Sequence, residues 1–241
     1  MRIAYFDCSA GAAGDMLLAA LLDAGAPLDR LIAVRDALGL GDELEIAIDE
    51  IPLGARRAAR LRLTERGPAV ERQLPAALAA IDRSGLPEAV RRAAARTIGR
   101  LGAVESRIHG VPLERLQLHE LSAADTLLDV VGFHALCAAL AVEAVEASPI
   151  NVGGGTITFS HGTFPVPPPA TAELLRSLPT TREGPEAGEL TTPTAAAILA
   201  TTVRRFGPPP PREGLIRLGS AVGSRRTDPP RVLRCLVMNI P

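Results

Sequence analysis

The sequence predicts an α/β fold built from mixed α+β layers, and two observations support this class. Segments with alternating apolar residues, typical of strands, are interspersed along the chain with segments of helical periodicity. Of the 241 residues, 47% are hydrophobic and 22% are charged, which is sufficient for a packed core. These patterns leave the order of the strands in the sheet open.

The first half of the chain combines strands with helices. The segment 15–24 has four leucines on one helical face, and Pro87 is suited to the first turn of a later helix. Residues 67–110 form an Ala- and Arg-rich segment with helical periodicity. We treat the whole chain, residues 1–241, as one region that contains this segment. Strands are predicted at 1–6, 44–51 and 57–63, and helices at 15–24, 28–38, 72–82 and 87–107.

The second half continues the mixture. The prolines of 165–169 favour extended backbone, and Thr192 followed by Pro193 is typical of a helix start. Helices are predicted at 123–141, 170–177 and 193–206, and strands at 142–152, 156–159, 214–222 and 231–238.

Composition excludes several function classes. The 26 basic and 27 acidic residues nearly cancel, which argues against a nucleic-acid partner. Every basic side chain other than histidine is arginine, so Schiff-base lysine chemistry and a P-loop are excluded. The three cysteines form no C-x-x-C pair, and no apolar run reaches the roughly 20 residues that span a bilayer. We therefore expect a cytoplasmic protein without a membrane partner.

The loop after the first strand is a candidate anion site. Its small residues lead into a helix start, where Ser9, Gly11 and Gly14 could present backbone amides to a phosphate. Asp7 and Asp15 flank this loop, and we consider both as candidate catalytic residues. The alternative is a tight turn in which Asp15 caps the helix and Asp7 braces the loop.

A histidine–carboxylate cluster is the second candidate site. Asp125 and Asp129 share one helix face, and Asp129 lies within an apolar run where an unpaired carboxylate is costly. Nitrogen and oxygen ligands of this kind suit a divalent metal, and the candidate ligands are His119, Glu120, Asp125, Asp129 and His161. A buried salt-bridge network with arginine, and a hydrolase acting through metal-bound water, remain alternatives.

Four segments in the same order resemble one family. They are Y5-F-D-C-S-A-G-A-A-G-D-M16, H119-E-L-S-A-A-D-T-L-L-D-V-V-G132, S160-H-G-T-F-P-V-P-P-P-A-T171 and E189-L-T-T-P-T-A-A-A197. Together they are similar to the LarC-type nickel-insertion proteins, which mature the nickel-pincer nucleotide cofactor of lactate racemase. Gln117 stands where the family usually has a further histidine.

The resemblance implies a CTP-dependent reaction. Ni²⁺ would enter a pyridinium bis-thiocarboxylic acid mononucleotide through one carbon–nickel and two sulfur–nickel bonds. It further implies that CTP, with Mg²⁺ or Mn²⁺, binds a C-terminal domain that has no counterpart in this sequence, so the chain would act as one half of a split enzyme. The alternative is a non-catalytic module that delivers nickel or substrate to a separate CTP-using subunit. We also expect a homo-oligomer.

Overall fold

The computed structural model describes residues 1–67, 70, 72–116, 123–159, 162–225, 227 and 229–241. The α-helices in these ranges are α1 Gly14–Asp23, α2 Leu28–Ala37, α3 Leu74–Arg83, α4 Glu88–His109, α5 Ala123–Ala139, α6 Pro169–Leu174 and α7 Pro193–Thr202. The strands are β1 Arg2–Asp7, β2 Leu44–Leu53, β3 Arg56–Glu65, β4 Ala144–Ala147, β5 Ile150–Asn151, β6 Gly153–Gly154, β7 Thr156–Phe159, β8 Gly162–Pro165, β9 Thr180–Thr181, β10 Gly188–Glu189, β11 Val203–Phe206, β12 Leu215–Ala221 and β13 Leu233–Asn239.

The main sheet has seven strands in the order β11-β4-β1-β13-β12-β3-β2. The first and last strands of the chain are neighbours in it, since β1 pairs antiparallel with β13 from Arg2 opposite Asn239 to Asp7 opposite Arg234. On its other side β1 runs parallel to β4, and β4 runs parallel to β11. This mixed sheet with helices packed on it confirms the predicted fold class.

Helices cover the sheet and bury its core. α1 packs against β3, β12 and α5, while α4 packs against α3, α5, α6 and α7. Gly132 of α5 allows close approach of α2, because a Cβ there would lie 2.6 Å from a methyl carbon of Leu31. The Phe6 and Phe133 rings meet in the core with centroids 5.8 Å apart. None of the helices in the described ranges combines the length and apolarity needed to cross a membrane.

Some element boundaries differ from the prediction. The helix predicted at 193–206 ends at Thr202, and residues 203–206 instead form β11, which pairs with β4. Only Ala144–Ala147 of the strand predicted at 142–152 joins the main sheet. Pro87 precedes α4 as its N-cap instead of lying in its first turn. The helix start at Thr192 is confirmed, because the Thr192 hydroxyl accepts the Ala195 amide at 3.3 Å.

Three short strand pairs lie beyond the end of β4. They are β5 with β9, β6 with β10 and β7 with β8. The Cys8–Gly14 loop is fixed against this segment, because the Ala12 amide donates to the Leu190 carbonyl and the Thr192 amide donates to the Ala12 carbonyl. Residues 150–159 and 162–192 therefore form one wall beside the first loop.

Candidate functional site

Three carboxylates meet where α1 and α5 pack together. Asp15 lies in the first turn of α1, and Asp125 and Asp129 lie one turn apart on α5. The three are near enough that Asp15 and Asp125 each raise the pKa of Asp129, and Asp15 raises that of Asp125. We call Asp15, Asp125 and Asp129 the acidic cluster.

Asp129 is the most buried member, with 8% of its surface exposed. Its Oδ2 packs against the backbone of Gly14, so closely that a Cβ at Gly14 would overlap the carboxylate. Its Oδ1 is buried and has no hydrogen-bond partner among the described residues. Burial, followed by the charges of Asp15 and Asp125, raises the pKa of Asp129 well above its ordinary value. No arginine satisfies this carboxylate among the described residues.

Asp125 and Asp15 complete the cluster. Asp125 Oδ1 is also buried, with no hydrogen-bond partner in the part of the chain that the structure describes. Burial, together with the charges of Glu65 and Asp15, raises the Asp125 pKa to about 6. Asp15 accepts the Met16 amide at 2.8 Å and the Ser224 hydroxyl at 2.9 Å. Burial raises its pKa, while these hydrogen bonds and Arg60 oppose the rise. The N-cap of α1 is Ala13 and not Asp15, because the helix begins one residue before the aspartate.

The first loop uses several of its own donors internally. The Ser9 amide donates to Asp7 Oδ1 at 3.2 Å, and the Gly11 amide donates to the Cys8 carbonyl at 3.0 Å. Gly11 has a φ of +88° and lies directly against the Leu190 carbonyl, where a side chain would not fit. Asp7 forms an ion pair with Arg234 of β13 at 3.2 Å. Of the predicted phosphate residues, the structure brings Gly14 to the acidic cluster, while Ser9 and Gly11 lie in this internally bonded turn.

The buried side-chain amide of Asn151 connects this wall to the first loop. Asn151 donates to the Ser9 carbonyl at 2.9 Å and to Glu183 Oε1 at 2.7 Å, and its own oxygen accepts the Gly153 amide at 3.0 Å. Glu183 in turn accepts two hydrogen bonds from Arg231, at 3.0 and 2.8 Å. Sequence reasoning missed this chain of contacts, although an asparagine two residues before a glycine run is a signal for a structured turn.

A cleft of about 270 Å³ lies beside α1, between the β2–β3 hairpin and the segment that follows β12. We call it the arginine cleft, because three of its lining residues are arginines. It is lined by Ile51, Arg60, Val222, Arg225, Thr227, Pro230 and Arg231. Sequence reasoning missed this cleft too, since its arginines come from separate segments of the chain.

Part of the predicted ligand set lies outside the described residues. These positions are His119, Glu120 and His161; Gln117, which is not one of the predicted ligands, also lies outside the described residues. Within the part of the chain that is described, no three His, Cys, Asp or Glu side chains are arranged to hold a metal ion by themselves. The full ligand set therefore remains a prediction; it consists of His119, Glu120, Asp125, Asp129 and His161. The structure places its two aspartates side by side.

Comparison with known proteins supplies the family context for this geometry. The model of a family described as nickel insertion protein matches residues 4–240. A Desulfitobacterium hafniense (strain DSM 10664 / DCB-2) protein named pyridinium-3,5-bisthiocarboxylic acid mononucleotide nickel insertion protein is 40% identical over 238 residues, covering 98% of this chain and 58% of its own length. A Geobacter sp. (strain M21) protein, also named for nickel insertion, is 41% identical over 235 residues, covering 96% of this chain and 59% of its own length. No solved structure matches the chain. The chain thus spans about three fifths of the length of these relatives.

Proposed function

Because the chain belongs to the nickel insertion protein family, we propose that it binds Ni²⁺ and a pyridinium-3,5-bisthiocarboxylic acid mononucleotide and takes part in placing the metal into that mononucleotide. Two lines of support meet in this proposal. The Desulfitobacterium hafniense relative carries this substrate in its name. The acidic cluster supplies oxygen ligands suited to a divalent metal.

The observation that carries the proposal is the Asp129 carboxylate. It is buried, it lies beside two further carboxylates, and one of its oxygens has no partner among the described residues. Gathering like charges in a site of low polarity is unfavourable unless a cation or a proton compensates them. A bound divalent cation would remove this penalty, which explains why the fold tolerates the arrangement.

We assign the predicted residues two roles. Asp125 and Asp129, with His119, Glu120 and His161, would hold Ni²⁺ before its transfer to the softer sulfur ligands of the substrate. Forming a carbon–nickel bond at a ring carbon releases the proton of that carbon, and a nearby carboxylate is the natural acceptor. Asp15, held by Met16 and Ser224, is the candidate within the cluster. Asp7, which is paired with Arg234, is the second candidate.

The remaining parts of the proposal follow from the family resemblance. CTP with Mg²⁺ or Mn²⁺ would bind a C-terminal domain or partner chain, outside the residues matched here. We also retain the expectation of a homo-oligomer in the cytoplasm. The three buried cysteines, Cys8, Cys137 and Cys235, are all free thiols, which agrees with a reducing compartment.

Calorimetric titration of Ni²⁺ tests the metal assignment. We expect the substitutions D129N and D125N each to weaken Ni²⁺ binding by about tenfold or more, because each removes a charged ligand. The matched control is E189Q. Glu189 is half-buried, and its Oε1 has no hydrogen-bond partner among the described residues, but none of the three acidic-cluster residues contributes to the shift of its pKa. Equal Ni²⁺ affinity in the wild type, D129N and D125N would show that these aspartates are not ligands of the metal.

An insertion assay tests the reaction. The chain is incubated with mononucleotide, Ni²⁺ and CTP, with and without the C-terminal part of a relative, and mass spectrometry detects the nickel-containing product. Product formation that depends on Asp129 supports the proposal. Binding of metal and mononucleotide without product under both conditions would favour the non-catalytic module.

A further inference from the structure

The arginine cleft places three guanidinium groups around one small volume. Arg60 comes from β3, while Arg225 and Arg231 come from the segment between β12 and β13. Ile51, Val222 and Pro230 add apolar walls, and Thr227 adds a hydroxyl. Such a mixture of planar cations and apolar surface is suited to a sugar phosphate, since arginine binds phosphate oxygens in a bidentate manner.

Two of the three arginines have no carboxylate partner in the described part of the chain. Arg231 is neutralised by its paired hydrogen bonds to Glu183. By contrast, neither Arg60 nor Arg225 forms an ion pair within 4.0 Å with any described residue, and Arg60 Nε is buried without a hydrogen-bond acceptor. The cleft therefore contains two guanidinium groups that no described carboxylate contacts directly, whereas the chain as a whole has a net charge of −1.

The backbone makes room for one of these cations. Gly188 has a φ of +64°, and a Cβ there would lie 2.8 Å from Nη1 of Arg225. The Arg225 guanidinium thus rests on bare backbone, with Glu189 near enough to interact with it electrostatically but not paired to it. This arrangement holds the guanidinium in place without neutralising it.

The cleft adjoins the acidic cluster. Ser224, the residue before Arg225, donates its hydroxyl to Asp15, and Arg60 interacts electrostatically with the same carboxylate. One molecule with an anionic end and a metal-binding end can therefore reach both places. A pyridinium mononucleotide is such a molecule, because its phosphate and its thiocarboxylate-bearing ring are separated by one ribose.

We infer that the cleft formed by Arg60, Arg225 and Arg231 binds the phosphate monoester of the pyridinium mononucleotide and directs its ring toward the acidic cluster. This inference rests on the proposed function. The cleft volume of about 270 Å³ lies just below the range of roughly 300–1,000 Å³ common for pockets that hold whole small molecules. A volume of this size suits a phosphate with part of a sugar. The cleft thus replaces the first loop as the phosphate site, since the amides of Ser9 and Gly11 already have acceptors.

The experiment measures binding of nicotinate mononucleotide, a pyridinium mononucleotide, to the full 241-residue chain by calorimetry. We expect R60Q and R225Q each to weaken binding by about tenfold or more, as expected for the loss of a charge-assisted hydrogen bond. The control R62Q removes an arginine two residues from Arg60 that is paired with Asp49 and does not line the cleft. It should bind like the wild type. Nicotinate riboside, which lacks the phosphate, should bind all four proteins equally weakly.

The outcomes separate the possible ligands. Unchanged mononucleotide affinity in both R60Q and R225Q would overturn the inference, and so would an equal loss of affinity for the riboside. In a parallel titration with CTP, a loss of affinity for CTP without a loss for the mononucleotide would assign the cleft to the triphosphate and would also overturn the inference. Circular dichroism and a cooperative unfolding transition in urea confirm that the variants are folded.

The inference and the proposed function fail separately. If the arginine variants lose affinity for the mononucleotide but no nickel is inserted under any condition, the phosphate site is supported and the proposed function is wrong. If R60Q and R225Q insert nickel at the wild-type rate at a limiting concentration of mononucleotide, the proposed function is supported and the phosphate site is wrong.

Discussion

Gly14 and Asp129 show how one missing side chain shapes the candidate site. The Asp129 carboxylate occupies the space that a Cβ at residue 14 would need. We predict that G14A destabilises the protein by about 1–3 kcal/mol, because α1 or α5 must shift to relieve the overlap. Urea unfolding monitored by circular dichroism measures the change.

A second glycine provides the matched control for this prediction. Gly99 lies inside α4 with open space around its missing side chain. There, alanine should raise the free energy of unfolding by about 0.5–1 kcal/mol, since glycine is the poorer helix former. If G14A were as stable as G99A, the close packing of Asp129 on Gly14 would be wrong.

His134 provides a residue-scale prediction about pH. It is buried on α5, and its Nε2 lies 3.1 Å from the Thr97 hydroxyl of α4. Burial, followed by the charge of Arg96, lowers its pKa from 6.5 to about 4. The unfolded chain therefore takes up a proton at a higher pH than the folded chain does, and the folded state loses stability as pH falls from 6.5 toward 4.

The expected size of this loss is up to about 3 kcal/mol at the acid end of the window. In H134Q the amide can keep a hydrogen bond to Thr97 but has no proton to gain. The free energy of unfolding of H134Q should therefore change less between pH 7 and pH 4.5 than that of the wild type. Parallel pH profiles for the two proteins would contradict the assignment.

Sequence reasoning at this scale succeeded where the signal was local. An aspartate within the run Leu127, Leu128, Val130 and Val131 pointed to a buried carboxylate, and Asp129 is indeed buried. By contrast, Asn151 contacts Glu183, which lies 32 positions later in the chain, and Glu183 contacts Arg231, a further 48 positions on. No local pattern encodes such a contact, because it depends on how distant segments are brought together.

At the scale of elements, the pairing of β4 with β11 depends on one buried acid. Glu146 of β4 accepts hydrogen bonds from Arg204 and from Arg205 of β11. The helix predicted at 193–206 stops short of these residues because pairing with β4 and this ion pair favour a strand. The local pattern of residues 193–206 could not reveal this, since the partner strand lies more than fifty residues earlier.

The same ion pair makes a prediction about acid stability. Burial would raise the pKa of Glu146, but hydrogen bonds and charge from Arg205 and Arg204 outweigh it and hold the pKa below 4.5. The stabilisation is therefore present above pH 4.5 and is lost as the pH falls through the lowered pKa. We expect E146Q to lose about 1.5–3 kcal/mol at pH 7.

Unfolding experiments at two pH values test this. The difference in unfolding free energy between the wild type and E146Q should shrink as the pH falls below 4.5, because protonation removes in the wild type what the substitution removes in the variant. A difference that stays constant from pH 7 to pH 3 would show that the carboxylate charge does not stabilise β11.

At the scale of the whole molecule, the sequence indicated which segments form strands but not how they pair. The predicted strands at 1–6 and 231–238 correspond closely to β1 and β13. Their adjacency in the sheet was not predictable, because strand patterns describe which face is buried and not which neighbour is chosen. The arginine cleft is also a product of this topology, since β3 and the segment after β12 meet only in the folded chain.

The central position of β13 leads to a prediction about cooperativity. β13 is hydrogen-bonded to β1 on one side and to β12 on the other, and Leu233, Cys235 and Val237 are buried in the core. Deleting residues 232–241 would expose two strand edges in the middle of the sheet, so we expect a chain without a cooperative unfolding transition in urea. The matched control deletes only Ile240 and Pro241, which removes the two hydrogen bonds between Ile240 and Met1 but keeps β13. That variant should unfold cooperatively close to the wild-type midpoint. If the longer deletion also unfolded cooperatively, β1 and β12 would be stable without the strand between them, and the central place of β13 in the sheet would be wrong.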